Sequence, residues 1–518
     1  MNKKTTRRGW LQAGGVAGAS ALLNAAGATP VSEIHEEPPK DVYTRFGVEP
    51  FINCTATVTS NGGSRTLPEV IEAMRAAAHY HVNLDDLQEA AGKRIAELLQ
   101  VEHAMVSSGA AAALTHATAG IVAGTDPERM QQLPDMTGLK NEVIMPKSSR
   151  NGYDYAVRMV GVTTVEVGTA EELKSAINER TAMVAMLGDR FSSHVELPLK
   201  EVGPIANAAG IPVLVDSAAD FLVSPNPYIA QGADLVAYSG GKISRGPQGG
   251  GLLVGKEELV RAAFANSAHH HAFGRPMKVS KEEIIGVLTA VETFFGRRDL
   301  QKEYKEWEGW YDYISKEVTK VDGVSTQVTP PSRGGPFPVL MVEWDQSKIG
   351  LTGSEIGELL MNGTPSIATH AEGGESSFRL RPVAMKPNEY QMVAERLHSV
   401  FRNAPKPSPK PTPPRAPAGD IAGRWHVHMD FGVGEADHEL FLEADGNNIT
   451  GTQIGVIAEG RVRGTLEGNK VRLSSGLPFE SISLGYRFEG TLKGDRMAGL
   501  LNPGSLPVAT WEAKRHRY

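Results

Sequence analysis

Seven short apolar runs, separated by loops or by amphipathic stretches, lie between Asp41 and Asn403, and their alternation restricts the fold more than any other feature. They are residues 103–106, 142–145, 163–167, 182–187, 211–215, 234–238 and 251–254. Helical patterns stand among them at 68–78, 86–99, 109–123, 170–178 and 199–209. Strands alternating with helices of this length predict parallel βαβ units, and so an open α/β sheet covered on both faces. Residues 281–321 read as a long helical region leading into a smaller α+β segment. The expected organisation is a large α/β domain over 41–290 and a small α+β domain over 291–403.

Prolines at 405, 407, 409, 411, 413, 414 and 417 then mark residues 404–419 as an extended linker. Beyond it, over 420–518, short alternating runs are separated by turns such as Asp445-Gly446-Asn447 and Lys493-Gly494-Asp495. Gly464-Thr-Leu-Glu-Gly468 recurs as Gly490-Thr-Leu-Lys-Gly494. This pattern predicts a meander of hairpins closing into a small antiparallel β-barrel. Gly423-x-Trp425 and Arg515 resemble the Trp-and-Arg closure of calycin barrels. His426 and His428 have no evident third metal ligand, so the barrel is expected to take no part in chemistry, serving in docking or in binding an apolar or sugar-like ligand.

At the other end, Arg7-Arg8 precedes a Gly/Ala-rich apolar run, and residues 1–28 resemble a twin-arginine export signal with small residues at Ala26 and Ala28. The expected destination is the periplasm or the exterior, reached through the twin-arginine machinery. No cysteine follows the run, and no later stretch has 18 uninterrupted apolar residues, so no membrane anchor is expected. With 53 Lys+Arg against 60 Asp+Glu the chain has no basic footprint for nucleic acid. Its single cysteine, Cys54, excludes an intrachain disulfide and any multi-cysteine metal centre, and reads as a small packed side chain.

The chemistry is concentrated between residues 211 and 255. One strand delivers Asp216 at its C-terminal end, followed by Ser217 and Ala218; another delivers Ser239-Gly240-Gly241-Lys242. Ligands of open α/β sheets bind at that edge. A lysine and a carboxylate facing one crevice suit pyridoxal phosphate, the amine forming the Schiff base and the acid pairing with the pyridinium nitrogen. Ala218 is small enough to lie against the ring, and Ser239 is within reach of the phosphate. Upstream, Ser107-Ser108-Gly109-Ala110 ends a strand and opens a helix, whose free amides form an anion site. Arg379 and Arg381 are candidate clamps for a substrate carboxylate, Arg379 slightly favoured, with Arg275, Lys278 and Asn53 as further substrate contacts. Adjacent His269, His270 and His271 are expected to diverge, so no metal is assigned.

The segment Tyr238-Ser-Gly-Gly-Lys242-Ile-Ser-Arg-Gly-Pro-Gln248-Gly-Gly-Gly resembles the cofactor-lysine segment of bacterial selenocysteine synthase and of the D-glucosaminate-6-phosphate ammonia-lyases. Both are fold-type I, aspartate aminotransferase-like, pyridoxal-phosphate enzymes. Phe51-Ile-Asn53, Asp86-Leu-Gln88, Ala91-Gly92, the Ser107–Ala113 run, Val215-Asp-Ser217 and Gly274-Arg-Pro-Met-Lys278 extend the resemblance over roughly 41–400. It implies Lys242 as the Schiff-base lysine, Asp216 as the pyridinium partner, Ser108, Gly109 and Ser239 as phosphate contacts, and at least a homodimer. It implies a lyase or transferase acting on a small amino acid or amino-sugar acid, with α,β-elimination favoured. Aminotransferase, racemase and selenium-transferase-like chemistry stay open, as does an exported, catalytically inactive binding or scaffold protein. Near Ser149-Arg150-Asn151-Gly152-Tyr153, ammonia-lyase-like members tend to carry a histidine over the ring, and which group stacks there in this chain is left open.

Overall fold

The computed structural model describes residues 42–188, 195–331, 336–370, 375–406, 414–504 and 506–516. The export signal expected over 1–28 and residues 407–413 of the proline stretch lie outside the described residues. After β1 (Ile52–Asn53) come the strands of the main sheet: β2 (His103–Ser107), β3 (Glu142–Pro146), β4 (Thr163–Val167), β5 (Thr181–Leu187), β6 (Val213–Asp216), β7 (Leu235–Ser239) and β8 (Gly251–Gly255). Their spatial order is β2-β8-β7-β6-β5-β3-β4. All seven apolar runs are strands of this sheet.

Near-continuous apolar runs are what a sheet buried on both faces requires. Alternate residues enter opposite cores: Ile144, Val184, Val213 and Val215 join one cluster, while Val143, Met183 and Leu214 join the other. The Leu84–Leu99 helix covers the first face, and the Gly109–Ala123 and Glu257–Ala265 helices pack on the second. Gln88, buried on the first of these helices, takes both hydrogen bonds of Val106: its amide donates to the carbonyl at 2.8 Å and accepts from the N–H at 3.0 Å.

The expectation of a parallel sheet needs one correction. β8 runs antiparallel to both β2 and β7. The connection over 240–250 has no helix and is shorter than the dozen or more residues of a parallel crossover, so the chain turns straight back. Lys242 lies inside this tight return.

The helical region resolves into helices Lys281–Gly296 and Leu300–Val318. A capping box of Ser280 and Glu283 starts the first, and Asp299 caps the second. Next come β9 (Val324–Thr329), β10 (Val339–Trp344), β11 (Ile367–Ala368) and β12 (Ser377–Leu380). β9, β10 and β12 form an antiparallel sheet in the order β12-β10-β9, and β11 pairs in parallel with β1. One apolar cluster runs from Ile52 through the main sheet to Phe401, so large and small units share a core.

Residues 423–515 form a closed eight-stranded antiparallel barrel, β13 (Gly423–Asp430) to β20 (Ala509–Arg515), β13 pairing with β20 to shut it. The Arg515 guanidinium lies 4.5 Å over the Trp425 ring and donates to the Asp420 and Ala422 carbonyls, closing the end as the Gly-x-Trp and Arg pattern anticipates. Trp425, Val427, Met429, Leu440 and Leu501 are fully buried inside. The axis is therefore filled by side chains, which is a packed core and not a pocket for an apolar ligand. Among the described residues no helix is long and apolar enough to cross a membrane.

Candidate active site

Asp216 and Lys242 are brought to the same sheet edge. Asp216 ends β6, level with Leu187 on β5 and Ala237 on β7. Its carboxylate accepts from the Ala218 N–H at 3.0 Å. Burial pushes the Asp216 carboxyl above the usual range, the Ala218 N–H and the Lys242 charge opposing this only in part. Burial pushes the Lys242 amine below the usual lysine value, with Asp216 as the counterweight. Each side chain thus feels the other, yet among the described residues no ion pair or side-chain hydrogen bond occupies Lys242 Nζ.

The glycines around Lys242 set its backbone. A Cβ on Gly241 would stand 2.4 Å from Gln248 Cα, so only glycine lets the two limbs of the return touch. The Gly240 N–H donates to the Gly250 carbonyl, and the Gly246 N–H to the Gly240 carbonyl, both at 2.8 Å. From outside, the Ser64 hydroxyl donates to the Gly241 carbonyl at 2.8 Å, and Gln248 donates to the Thr59 carbonyl at 2.9 Å.

Facing this return is the N-terminus of the Gly109–Ala123 helix. Ser108 occupies the cap position without spending its hydroxyl on a capping bond, while the Ser107 hydroxyl donates to the Gly109 carbonyl at 2.9 Å. Gly109 has φ +82°, and a side chain there would enter open space, its nearest neighbour being the Gly249 carbonyl at 4.0 Å. The first-turn N–H groups have no helical partners and so offer an anion cradle. Ala218 adjoins β7, the Ser239 N–H donating to its carbonyl at 3.2 Å.

The 149–154 segment supplies a residue that sequence reasoning did not assign. The Ser149 hydroxyl accepts from the Leu187 N–H at 3.1 Å. Arg150 turns away into carboxylates: Asp154 at 2.6 Å, Glu166, and Glu480 of the barrel at 2.7 Å. Ser149 lines the small cavity beside Asp216, and the Tyr153 ring centroid lies 5.9 Å from Lys242 Nζ. A cavity of about 20 Å³ separates this segment from the strand ends, with Asp216, Ser149, Asn151, Asp154 and Leu187 in its wall. The available signal was an aromatic residue in the stretch expected to stack on the ring.

Other candidates are placed differently. The Asn53 side chain is occupied by its own turn, donating to the Ala56 and Asn61 carbonyls and accepting from the Thr55 N–H and hydroxyl. With its amide so engaged, it is not a free substrate contact. Arg379 is exposed and exchanges backbone bonds with His370, whereas Arg381 is half-buried and donates its N–H to the Cys54 carbonyl at 2.8 Å. Arg275 and Lys278 are exposed. His269 and His270 do not diverge, since each Nε2 lies 3.1 Å from the same Asp85 carboxylate oxygen. Cys54 is fully buried, and that burial pushes its thiol far above the usual value.

Pyridoxal phosphate fits this set of residues. The half-buried amine with no ion pair or side-chain hydrogen bond among the described residues, the carboxylate coupled to it and the open space at Gly109 are, respectively, an attachment point, a partner for a ring N–H and room for a phosphate at a helix start.

Comparison with known proteins supports the same assignment. Residues 65–273 match the class-V aminotransferase family. A 5'-C-glycyluridine monooxygenase-decarboxylase of a Streptomyces species is 31% identical over 378 residues, covering 69% of this chain and 92% of the relative. D-glucosaminate-6-phosphate ammonia lyase of Salmonella typhimurium is 27% identical, covering 70% and 99%. A solved D-glucosaminate-6-phosphate ammonia-lyase superposes with a TM-score of 0.63 at 26% identity, covering 71% of this chain and 100% of that one. An L-seryl-tRNA(Sec) selenium transferase of Rhizobium meliloti is 26% identical over 289 residues, which span 58% of its length.

Proposed function

Because this chain belongs to the fold-type I pyridoxal-phosphate-dependent enzymes, in the group related to glucosaminate-6-phosphate ammonia-lyase and selenocysteine synthase, we propose that it eliminates a β-substituent from a small amino acid or amino-sugar acid. The observation that carries this reading is the half-buried Lys242 amine, which among the described residues has no ion pair or side-chain hydrogen bond, coupled to the Asp216 carboxylate. When bound, pyridoxal phosphate supplies the electron sink that lets a bond at the substrate Cα break. The protein supplies the rest. Lys242 would hold the cofactor, Asp216 its ring nitrogen, and the amides and hydroxyls of Ser107–Ala110 with Ser239 its phosphate.

With pyridoxal phosphate bound, Lys242 Nζ would be the group placed to take the substrate Cα proton. Burial favours the neutral amine, the only form that can accept it. Tyr153, 5.9 Å from Lys242 Nζ, would stand at the mouth of the site. Arg379 and Arg381 stay the candidates for a substrate carboxylate, which a guanidinium can grip in bidentate fashion. Transamination and racemisation share the proton-removal step. The Streptomyces relative favours a second reading, in which the Cα–carboxylate bond breaks and Lys242 need not act as a base. Incubating the cofactor-loaded protein with amino acids and amino-sugar acids separates the two: ammonia with a 2-oxo acid supports elimination, and carbon dioxide supports decarboxylation.

We further infer a homodimer and export. Exposed Tyr43, Phe46, Val48, Ile71, Tyr80 and Val82 are apolar surface that a second copy would cover. Arg275 and Lys278, exposed beside the region that such enzymes share between subunits, are candidates for completing the partner's site. Sedimentation would show a monomer if this is wrong. The Arg7-Arg8 motif supports twin-arginine export to the periplasm. Retention of Lys242 and Asp216 argues against an inactive scaffold.

A further inference from the structure

The barrel touches the α/β domain at the wall of the site. The turn between β17 (Lys470–Phe479) and β18 (Ile482–Lys493) presents Glu480 and Ser481 to the 150–154 segment. Glu480 binds Arg150 at 2.7 Å, and the Ser481 hydroxyl donates to Asp154 at 2.9 Å. A Cβ on Gly152 would stand 3.4 Å from the Ile482 side chain, so the turn also packs against backbone. The groups gripped are deeply buried, with the side chains of Arg150 and Asp154 only 8% and 4% exposed. Glu480 and Ser481 are the two central residues of a tight hairpin, Glu480 at φ +51° as such turns require, so the tip presents both side chains together.

What is gripped adjoins the chemistry. Asp154 lines the same small cavity as Asp216, and Tyr153, one residue earlier, faces Lys242. Burial raises the Asp154 carboxyl, but Arg150, Arg158 and Ser481 outweigh it and hold the group below the usual range, so it stays an anion that both arginines can grip. The Streptomyces relative and the two ammonia-lyases matched above are 92% to 100% accounted for by about 70% of this chain, which leaves no room in them for an added domain of the barrel's size.

We propose that the barrel is a clamp acting in cis, in which Glu480 and Ser481 are positioning residues that fix Arg150 and Asp154 and thereby hold Tyr153 in place opposite Lys242. This replaces the expectation that the barrel stands apart from the chemistry. It rests on the reading of Lys242 as the cofactor lysine.

The test uses the full chain and the variants Glu480→Gln, Ser481→Ala and the double variant, with Ser481→Thr as the variant that keeps the hydroxyl. Hydrogen exchange of residues 150–154 is measured without cofactor, and pyridoxal phosphate is then titrated by its visible absorbance. Loss of one hydrogen bond to a charged group predicts about tenfold faster exchange and about tenfold weaker binding for each single variant. The double variant is expected to exceed either, with Ser481→Thr within about twofold of the wild type. Unchanged exchange in the double variant overturns the clamp. Faster exchange with wild-type affinity and an unaltered absorbance band overturns the positioning role. A wild-type protein that binds no pyridoxal phosphate overturns the underlying reading instead, and the exchange measurement still decides the clamp.

Discussion

Replacing Gly241 by alanine tests whether the tight return around Lys242 is a rigid support for cofactor binding. The new Cβ would meet Gln248 Cα at 2.4 Å and the Gln248 carbonyl oxygen at 3.0 Å, both backbone atoms that cannot rotate aside. Carbon atoms pack best near 3.5 Å, so the two limbs must part by about 1 Å. Overpacking of this kind costs about 1–3 kcal/mol, and a displacement of that size at a reacting group lowers rates by about a hundredfold. We expect pyridoxal phosphate to bind about 5- to 150-fold more weakly. Gly309→Ala is the control, because this exposed helical glycine has nothing within 4 Å of its added carbon. Removing a helical glycine should raise stability by about 0.5–1 kcal/mol and leave affinity alone. The assay is absorbance titration beside urea denaturation. Wild-type affinity in Gly241→Ala, with the protein folded, would refute the reasoning.

Two further outcomes follow from buried polar groups. Asp154→Ala leaves Arg158 without its carboxylate and Arg150 with two of its three, and should cost about 3–5 kcal/mol in denaturant titrations followed at the α/β domain. Because the folded Asp154 pKa lies below its unfolded value, its contribution is complete above the ordinary aspartate range and is lost as pH falls through the folded value; a variant that loses less stability than the wild type on acidification shows this. Gln88→Ala strands both polar groups of Val106 in the core, at about 1–3 kcal/mol for each group left unsatisfied, and should speed hydrogen exchange along β2. Unaltered exchange there would count against the strand-pinning role.

The sheet was legible because its strands other than the edge strand β4 are largely buried on both faces and so appear as apolar runs. Direction was not, since an apolar run such as Gly251–Gly255 reads the same in either sense. Only the shortness of 240–250 carried that information. Lys242 was visible because a glycine-rich turn after a strand constrains local sequence, and Asp216 because it ends an apolar strand at the same sheet edge. Tyr153 was missed because its meaning depends on Arg150 turning away towards Asp154, Glu166 and Glu480, contacts that local periodicity does not encode. The convergence of His269 and His270 on Asp85 was hidden in the same way. The local engagement of Asn53 was hidden for the opposite reason, since a polar residue beside a turn readily bonds to its own backbone.

The central claim is that Lys242 carries the cofactor in a site built by the sheet edge and the Gly109–Ala123 helix. Borohydride reduction of the pyridoxal phosphate-loaded protein, followed by peptide mapping, tests it directly by fixing the cofactor to the amine that holds it. We expect the label on the peptide containing Lys242 and its loss, together with the visible absorbance band, in Lys242→Ala. A label on another lysine, or an undiminished band in Lys242→Ala, would contradict the account.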